Sequence, residues 1–271
     1  MTLQEKFAAQ VSTAGLPMSG DDPTPVTRAS IAHLPEPARR FLHFTGVIGK
    51  PRDWSFRAHL SGRFRRRPGR RWMPCESWQY NSGLEVARIF HMRVALAGLV
   101  PLYGRDCYLR GHGHMRDTMF GVAVANGLGF EYDVGELVTY LNDAVLLAPS
   151  FLLRLPTSWA AVDDDSFHVG LTDRGQSVTG RVVVDERGAP RDFSTDDRVA
   201  DLPGGAVRAR WSSSVEGWTS ERGRARPIRA SVVWHLPEGP FTCARFEFPP
   251  GAVEFNLPPG NTEVARNGAG R

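Results

Sequence analysis

Three polar side chains capable of acid–base chemistry occur at helical spacing within GELVTYLNDAVLLAPSFLL, residues 135–153. Glu136, Tyr140 and Asp143 stand at positions i, i+4 and i+7, which share one face of an α-helix. A carboxyl group shielded from water has a raised pKa and can act as a general acid or base, and a tyrosine hydroxyl can donate to a developing oxyanion. These three residues are therefore the catalytic candidates.

The surroundings of this polar face decide whether it performs chemistry. The adjoining face is apolar and should pack on a sheet, and Asp133 should cap the start of the helix. The polar face then points either to solvent or into a cavity between helix and sheet. In a third interpretation it forms buried ion pairs with strand arginines and is structural. The apolar face comprises Leu137, Leu141, Val145 and Ala148. The candidate partners are Arg88, Arg93, Arg110 and Arg116.

Histidines form a second constellation. His112 and His114 are separated by one residue and would point to the same side of a strand, and His91 could join them from a neighbouring strand. Three imidazoles could bind zinc, but the surrounding glycines indicate a turn or bulge, and no carboxylate lies at a diagnostic spacing. The acidic run at 163–165 reads as an exposed turn. We predict no metal site and, without a phosphate-binding loop or dinucleotide fingerprint, no cofactor.

Aromatic residues on the strands could line a pocket for a flat or extended apolar molecule, or they could belong to the core. Trp159 is one such residue. The predicted ligand-binding residues are Trp72, Trp78, Tyr80, Arg88, His91, His114, Trp211 and Trp234.

The elements that carry these residues read mostly as strands. From Trp54 the hydrophobic period is two, and WMPCESWQY returns after a Pro68-Gly69 turn to complete a hairpin. Strand-like segments then follow at short intervals as far as residue 256, interrupted by the helix at 135–153. The pattern predicts a mainly β fold, a single large and strongly curved antiparallel sheet of about ten strands, with helices covering its concave face.

We predict three parts of the chain. Residues 1–28 form a peripheral N-terminal segment with a short amphipathic helix, residues 29–258 form a single β-rich half-barrel domain, and residues 259–271 form a flexible C-terminal tail. A second helix is expected within LPEPARRFLHFTG, opened by prolines and closed at Gly46.

Charge and cysteine content narrow the possible partners and compartment. The net charge is +4 and arises almost wholly from arginine, which is weak evidence for nucleic acid binding. The three cysteines are widely spaced and no long apolar run is present, so we expect a cytoplasmic protein without an export signal. One basic cluster is a solvated hairpin tip or a contact for an anionic membrane surface or acidic partner. It comprises Arg63, Arg65, Arg66, Arg67, Arg70 and Arg71.

Several motifs between about Leu34 and Asn256 resemble an uncharacterised bacterial family of unknown function. They are LPEPARRFLHFTGVIGKP, WMPCESWQY, RGHGHM, the Gly-Glu-Leu-x-x-Tyr-Leu stretch at 135–141, WAAVDDDSF, the Asp-Arg pair at 197–198 and WHLPEGPF. The resemblance implies a lipoprotein-carrier-like architecture, in which helices close a curved half-barrel over an apolar cavity that holds acyl chains or other apolar ligands.

Three functional hypotheses follow. The first is a protein that binds a hydrophobic small molecule or acyl chain between the sheet and its covering helix. The second is a cofactor-independent enzyme, such as a cyclase, isomerase or hydrolase, that acts on a hydrophobic metabolite in the same cavity. The third is an interaction module that uses the arginine-rich hairpin.

Overall fold

A computed structural model describes residues 1–20, 22–96, 100–202 and 205–260. The helices are α1 (Leu3–Thr13), α2 (Glu36–Phe44) and α3 (Phe130–Leu147), with short 3-10 turns at Ala29–Ile31 and Pro149–Leu153. The strands are β1 (Ser55–Phe64), β2 (Met73–Ser82), β3 (Ala87–Leu96), β4 (Val100–Leu109), β5 (His112–Met119), β6 (Val122–Leu128), β7 (Thr157–Asp163), β8 (Ser166–Asp173), β9 (Gln176–Val184), β10 (Pro190–Thr195), β11 (Val199–Leu202), β12 (Gly205–Arg208), β13 (Arg210–Glu221), β14 (Arg224–Leu236), β15 (Gly239–Glu247) and β16 (Val253–Phe255).

One antiparallel sheet contains fourteen of these strands, and β11 and β12 form a separate hairpin. The order is β6-β5-β4-β3-β2-β1-β15-β14-β13-β10-β9-β8-β7, with β16 also paired to β1, so β6 and β7 are edges and the sheet is not closed. The predicted antiparallel half-barrel is confirmed, whereas the predicted number of strands, about ten, was too low. Residues 106–126, which read as one strand-like segment, are divided among three strands by tight turns at Arg110 and Phe120, with positive φ values of 56° and 52°. No Asn-Gly pair, the usual sequence signal of a two-residue hairpin turn, marks either turn.

The sheet curves around α3. This helix contacts β3 to β6 on one side and β9, β10 and β14 on the other, although these strands are far apart in the strand order. We call the side of the sheet that faces α3 the concave face. Its largest core cluster includes Phe56, Leu137, Phe151 and Phe193, and α2 contributes Phe41. Helix α3 therefore covers the concave face, as the sequence predicts.

The outer face of the sheet carries α1. Its Leu3, Phe7 and Val11 are buried against a cluster that contains Trp78 and Ile89. The segment predicted to be peripheral thus contributes apolar contacts worth about 1.5–3 kcal/mol for each fully buried side chain. Most of the tail predicted at 259–271 lies outside the described residues, and the domain boundaries stay a prediction.

The start of α3 rests directly on β5. A Cβ atom on Gly113 would lie 2.1 Å from the Tyr132 carbonyl oxygen, so glycine is required for this close approach. Asp133 does not cap the helix as predicted: its Oδ1 accepts a 2.6 Å hydrogen bond from the Gly113 amide, and Gly129 occupies the N-cap position. The glycine-rich motif RGHGHM therefore allows the start of α3 to approach β5 closely.

Within the described part of the chain, no helix is both long and apolar enough to span a membrane.

Candidate functional site

The polar face of α3 is turned towards the sheet, where Arg88 of β3 joins its two carboxylates. Arg88 Nη1 lies 2.9 Å from Glu136 Oε2, and Arg88 Nε lies 2.7 Å from Asp143 Oδ2. All three side chains are buried. The solvent-facing alternative was therefore wrong, and the buried ion pair is the arrangement found.

Strand β2 completes the hydrogen bonding of this cluster. Gln79 Nε2 donates to Asp143 Oδ2 at 2.6 Å, and Asn81 Nδ2 lies 3.4 Å from the same oxygen. Tyr140 donates from its hydroxyl to the Ser82 carbonyl oxygen at 2.7 Å. The catalytic candidate Tyr140 is thus already committed to a backbone acceptor, and burial raises its pKa well above the ordinary value.

Burial also dominates the titration of the two carboxyl groups. It raises the pKa of Glu136 despite the opposing charges of Arg88 and Arg198, and it raises the pKa of Asp143 despite Arg88 and two amide donors. The charge of Asp143 also raises the pKa of Glu136. Protonation of this cluster is therefore easier than protonation of carboxyl groups in water.

Arg198 extends the cluster towards the strands opposite β3. Its Nη1 donates to Thr139 Oγ1 at 2.8 Å, and its guanidinium carbon lies 4.8 Å from the Trp211 ring centre and 5.5 Å from that of Trp234. Such stacking stabilises a cation on an aromatic face. Its buried Nε has no hydrogen-bond partner among the residues that the structure describes. One donor of this arginine is therefore left unsatisfied inside the described part of the protein.

Asp106 of β4 is a further acidic group beside this cluster, and the sequence analysis missed it. Burial and the charge of Glu136 raise its pKa to about 7, against the opposing effect of Arg88 and Arg198. The side chain keeps some contact with solvent and makes no hydrogen bond or ion pair within the described ranges. Asp106 is two residues before Tyr108, whose side chain points inward, so the Asp106 side chain also lies on the concave face. Only the folded structure shows that Glu136 is close enough to affect it.

Next to these charges, the concave face carries a group of apolar side chains, with Asp117 beside them in an ion pair with Arg66. We call five of the partly exposed apolar residues the open floor, and these are Met92, Met119, Val232, Trp234 and Phe246. Cys75, Val94 and Leu102 are buried beneath and between them. Phe90 continues the surface towards Arg88, with its ring 6.5 Å from Phe246 and 4.8 Å from the Arg88 guanidinium carbon. The concave face therefore presents an apolar surface with a polar group at one end.

The predicted ligand-binding residues divide between the two faces of the sheet. Arg88, Trp211 and Trp234 lie on the concave face. The others lie on the outer face, because successive side chains alternate and Gln79 and Asn81 are the residues that point inward on β2. The structure therefore does not bring these eight residues together in one pocket. The outer group comprises Trp72, Trp78, Tyr80, His91 and His114.

The two outer histidines are engaged in hydrogen bonds. His91 Nε2 lies 2.6 Å from Gln10 Oε1, and His114 Nε2 lies 2.8 Å from Asn126 Oδ1. His112 is exposed, with Nδ1 3.9 Å from Asp133 Oδ2. Across the residues that are described, no three histidine, cysteine, aspartate or glutamate side chains are grouped so that they could hold a metal ion.

Comparison with known proteins gives a family but no activity. The model of a family of unknown function (DUF6544) matches residues 24–246. A search of curated proteins finds no match. Among solved structures, similarity is found to a LolA superfamily protein from Nitrosomonas europaea, with 15% identity, a TM-score of 0.39, and coverage of 81% of this chain and 93% of that one.

Two further solved structures are similar at the same low level. A putative outer membrane lipoprotein-sorting protein domain from Vibrio parahaemolyticus has 9% identity and a TM-score of 0.36, with 74% of this chain and 85% of that chain covered. A DUF1329 family protein from Desulfovibrio piger has 10% identity and a TM-score of 0.42, with 86% and 95% covered. Similarity this weak carries no inference about ligands.

Replacing Arg88 by methionine should leave Glu136 and Asp143 buried without their counter-ion, at a cost of about 3–5 kcal/mol near neutral pH. The folded-state pKa values of both carboxyls are already raised, so protonation favours the folded state, and loss of Arg88 raises them further. The penalty should therefore shrink as pH falls from about 8 towards about 5. Denaturant unfolding of Arg88→Met across this range measures it.

Arg93→Met is the matched control. Arg93 is on the same strand, is half exposed, and pairs with Glu76 at 2.8 Å on the outer face. Its loss should cost less than about 1 kcal/mol at every pH tested. A loss for Arg88→Met that is small, or that does not change with pH, would contradict a structural ion cluster.

Proposed function

We propose that this chain, which belongs to the DUF6544 family of unknown function, binds an elongated apolar molecule on the open floor, with the polar end of that molecule at Asp106. The observation that carries the proposal is the exposure of apolar side chains on the inner face of a curved sheet, directly beside buried charges. Apolar surface of this kind is stabilised by a ligand that excludes water from it.

The composition of the open floor suits an acyl chain or a similar flexible molecule. Met92 and Met119 have unbranched, polarisable side chains that adapt to ligands of different shape. Trp234 and Phe246 provide broad flat surfaces on the opposite side of the curve. Because these residues come from strands on both sides of β1, a bound chain would lie across several strands.

The charges beside the floor favour a polar end without net charge. Arg88 and Arg198 provide two positive charges, and Glu136 and Asp143 provide two carboxylates that balance them when ionised. Asp106, with a pKa of about 7, is ionised in part near neutral pH. With both carboxyl groups ionised, the cluster has no surplus positive charge for an anion, whereas Asp106 can hydrogen-bond a hydroxyl or ester group.

Val232 and Val233 offer a matched pair for testing this site. They are adjacent and partly exposed, but Val232 lies on the open floor and Val233 on the outer face. Val232→Asn should weaken binding of 1-oleoylglycerol roughly tenfold, because an amide replaces buried methyl groups, whereas Val233→Asn should bind like the parent chain. Tryptophan fluorescence titration and native mass spectrometry measure binding. Equal affinities for all three proteins, or no binding by the parent chain, would refute the site.

Catalysis on the bound molecule is the second candidate, and Asp106 is the observation that favours it. A carboxyl group with a pKa of about 7, exposed to the floor and without a partner among the described residues, can both donate and accept a proton near neutral pH. The chain would then act as a cyclase, isomerase or hydrolase. Glu136, Tyr140 and Asp143 stay predictions as catalytic groups, although their contacts with Arg88 and Ser82 favour a positioning role.

Asp106→Asn tests the unusual protonation of this group. The folded-state pKa lies above the ordinary 3.8, so the group stabilises the fold fully below about pH 4 and loses that contribution as pH rises through 7. The variant, which cannot ionise, should therefore gain stability relative to the parent chain between about pH 5 and 8. Asp163→Asn should show no such gain, because hydrogen bonds from Ser166 and the nearby Arg181 lower the pKa of Asp163. A pH-independent difference for Asp106→Asn would remove the acid–base candidate.

Contact with an anionic membrane through the arginine-rich hairpin is supported by a neighbouring apolar turn. Arg66 Nη2 lies 3.5 Å from Asp117 Oδ2, which brings the hairpin tip beside the β5–β6 turn. Phe120 in that turn is 75% exposed, and Val122 after it is 67% exposed. Exposed apolar side chains next to exposed arginines suit insertion at a negatively charged lipid surface. The predicted cytoplasmic location stays a prediction.

Phe120→Ser should reduce co-sedimentation with phosphatidylglycerol-containing vesicles several-fold, whereas Phe130→Ser should not. Phe130 is 70% exposed but follows the other end of β6, about 20 Å away along the strand. Binding should also fall with added salt, because the arginine contribution is screened. Sedimentation that is equal for both variants, or equal with phosphatidylcholine alone, would contradict this membrane contact.

A further inference from the structure

A pocket of about 290 Å³ lies between α1 and the outer face of β3 to β5. Its walls include Lys6 and Gln10 from α1, which share one helix face, and Tyr103, Arg105 and Arg116 from the strands. It is on the opposite side of the sheet from the open floor, so it is a separate place for a ligand.

Positive charge is concentrated in this pocket without a compensating carboxylate. Arg105 and Arg116 are directly opposite each other on β4 and β5, a cross-strand pairing in which like charges destabilise a sheet. Among the described residues, no carboxylate lies within 4 Å of Lys6, Arg105 or Arg116. By contrast, Arg93 on the same outer face pairs with Glu76. An anion from outside the chain would relieve this repulsion.

Two of the cationic groups, Arg105 and Lys6, are also held in place, whereas Arg116 is exposed. Arg105 Nη2 lies 3.2 Å from His114 Nδ1, and Asn126 contacts the other ring nitrogen of that histidine. The buried Nε of Arg105 has no hydrogen-bond partner within the described chain. The Lys6 ammonium lies 3.9 Å from the centre of the Tyr103 ring. Donors that are fixed before binding lose little conformational freedom when an anion arrives.

We propose that this pocket binds a phosphate monoester group, with Arg105, Arg116 and Lys6 as its ligands. A phosphate monoester has a charge of nearly −2 and three acceptor oxygens, which match two guanidinium groups and one ammonium. A pocket of about 290 Å³ holds a small phosphorylated molecule, and its open side also admits the head group of a phosphorylated lipid. Both sources present the same chemistry to these residues.

His91 reports on the charge within the pocket. Burial first, and then the charges of Arg105 and Lys6, lower its pKa to about 4. Its Nε2 faces the side-chain amide oxygen Oε1 of Gln10, which only accepts hydrogen bonds, so the neutral ring is protonated at Nε2. A phosphate dianion at Arg105 would offset the positive field, and the pKa of His91 would rise.

The test measures binding of inorganic phosphate and glycerol 3-phosphate to the full chain by calorimetry, together with an NMR titration of His91 with and without phosphate. We expect saturable binding of one phosphate and a raised pKa of His91. Arg105→Gln and the exposed Arg116→Gln should each weaken binding by about tenfold or more. Arg93→Gln, on the same face but outside the pocket, should bind as the parent chain does.

Vesicles with and without phosphatidic acid distinguish the two sources. Binding to phosphatidic acid vesicles that glycerol 3-phosphate displaces, and that Arg116→Gln weakens, assigns the pocket to a lipid head group. Binding of glycerol 3-phosphate without vesicle binding assigns it to a soluble molecule. The proposal is overturned if phosphate does not saturate the parent chain, if the pKa of His91 does not move, or if Arg105→Gln and Arg116→Gln bind phosphate unchanged.

Discussion

The contact of Arg88 with two carboxylates of α3 determines how the helix is placed on the sheet. Glu136 and Asp143 are seven residues apart, about 10 Å along the helix axis, and one guanidinium group bonds both. A shift of α3 along its axis, or a rotation about it, would leave a buried charge without its partner, which is costly. Gln79 and Asn81 restrict Asp143 further. The cluster therefore selects one arrangement among many that apolar packing alone would tolerate.

Once α3 is fixed, the alternation of side chains gives the sheet two chemically different surfaces. Inward residues of β3 and β4 include Arg88 and Asp106, whereas the outward residues between them include His91 and Arg105. Neither group can exchange faces without a register shift that would expose the core. The same few strands thus carry an apolar floor with balanced charges on one face and a positively charged pocket under α1 on the other.

The sequence predicted a curved antiparallel sheet covered by a helix because the period-two pattern from Trp54 and the long helix at 135–153 are local signals. It also brought together Glu136, Tyr140 and Asp143 correctly, since helical spacing depends only on neighbouring residues. It could not show that Arg88 meets them or that Trp78 faces away from Trp234, because strand pairing joins residues that are distant in the chain. Asp106 escaped notice for the same reason: its raised pKa depends on Glu136 and on burial, neither of which is encoded next to it.

Because of these contacts, the side chain that would distinguish a binding protein from an enzyme is Asp106 and not the polar face of α3. The helix carboxylates are engaged by Arg88, and the Tyr140 hydroxyl by a backbone carbonyl, so the group with free capacity lies at the edge of the cluster, at Asp106. A ligand that only fills the open floor would leave the protonation of Asp106 governed by burial and Glu136. A substrate that places a reacting atom at Asp106 would instead couple that proton to chemistry. The two functions therefore differ in how far the bound molecule reaches towards Asp106, since the floor that holds it is common to both.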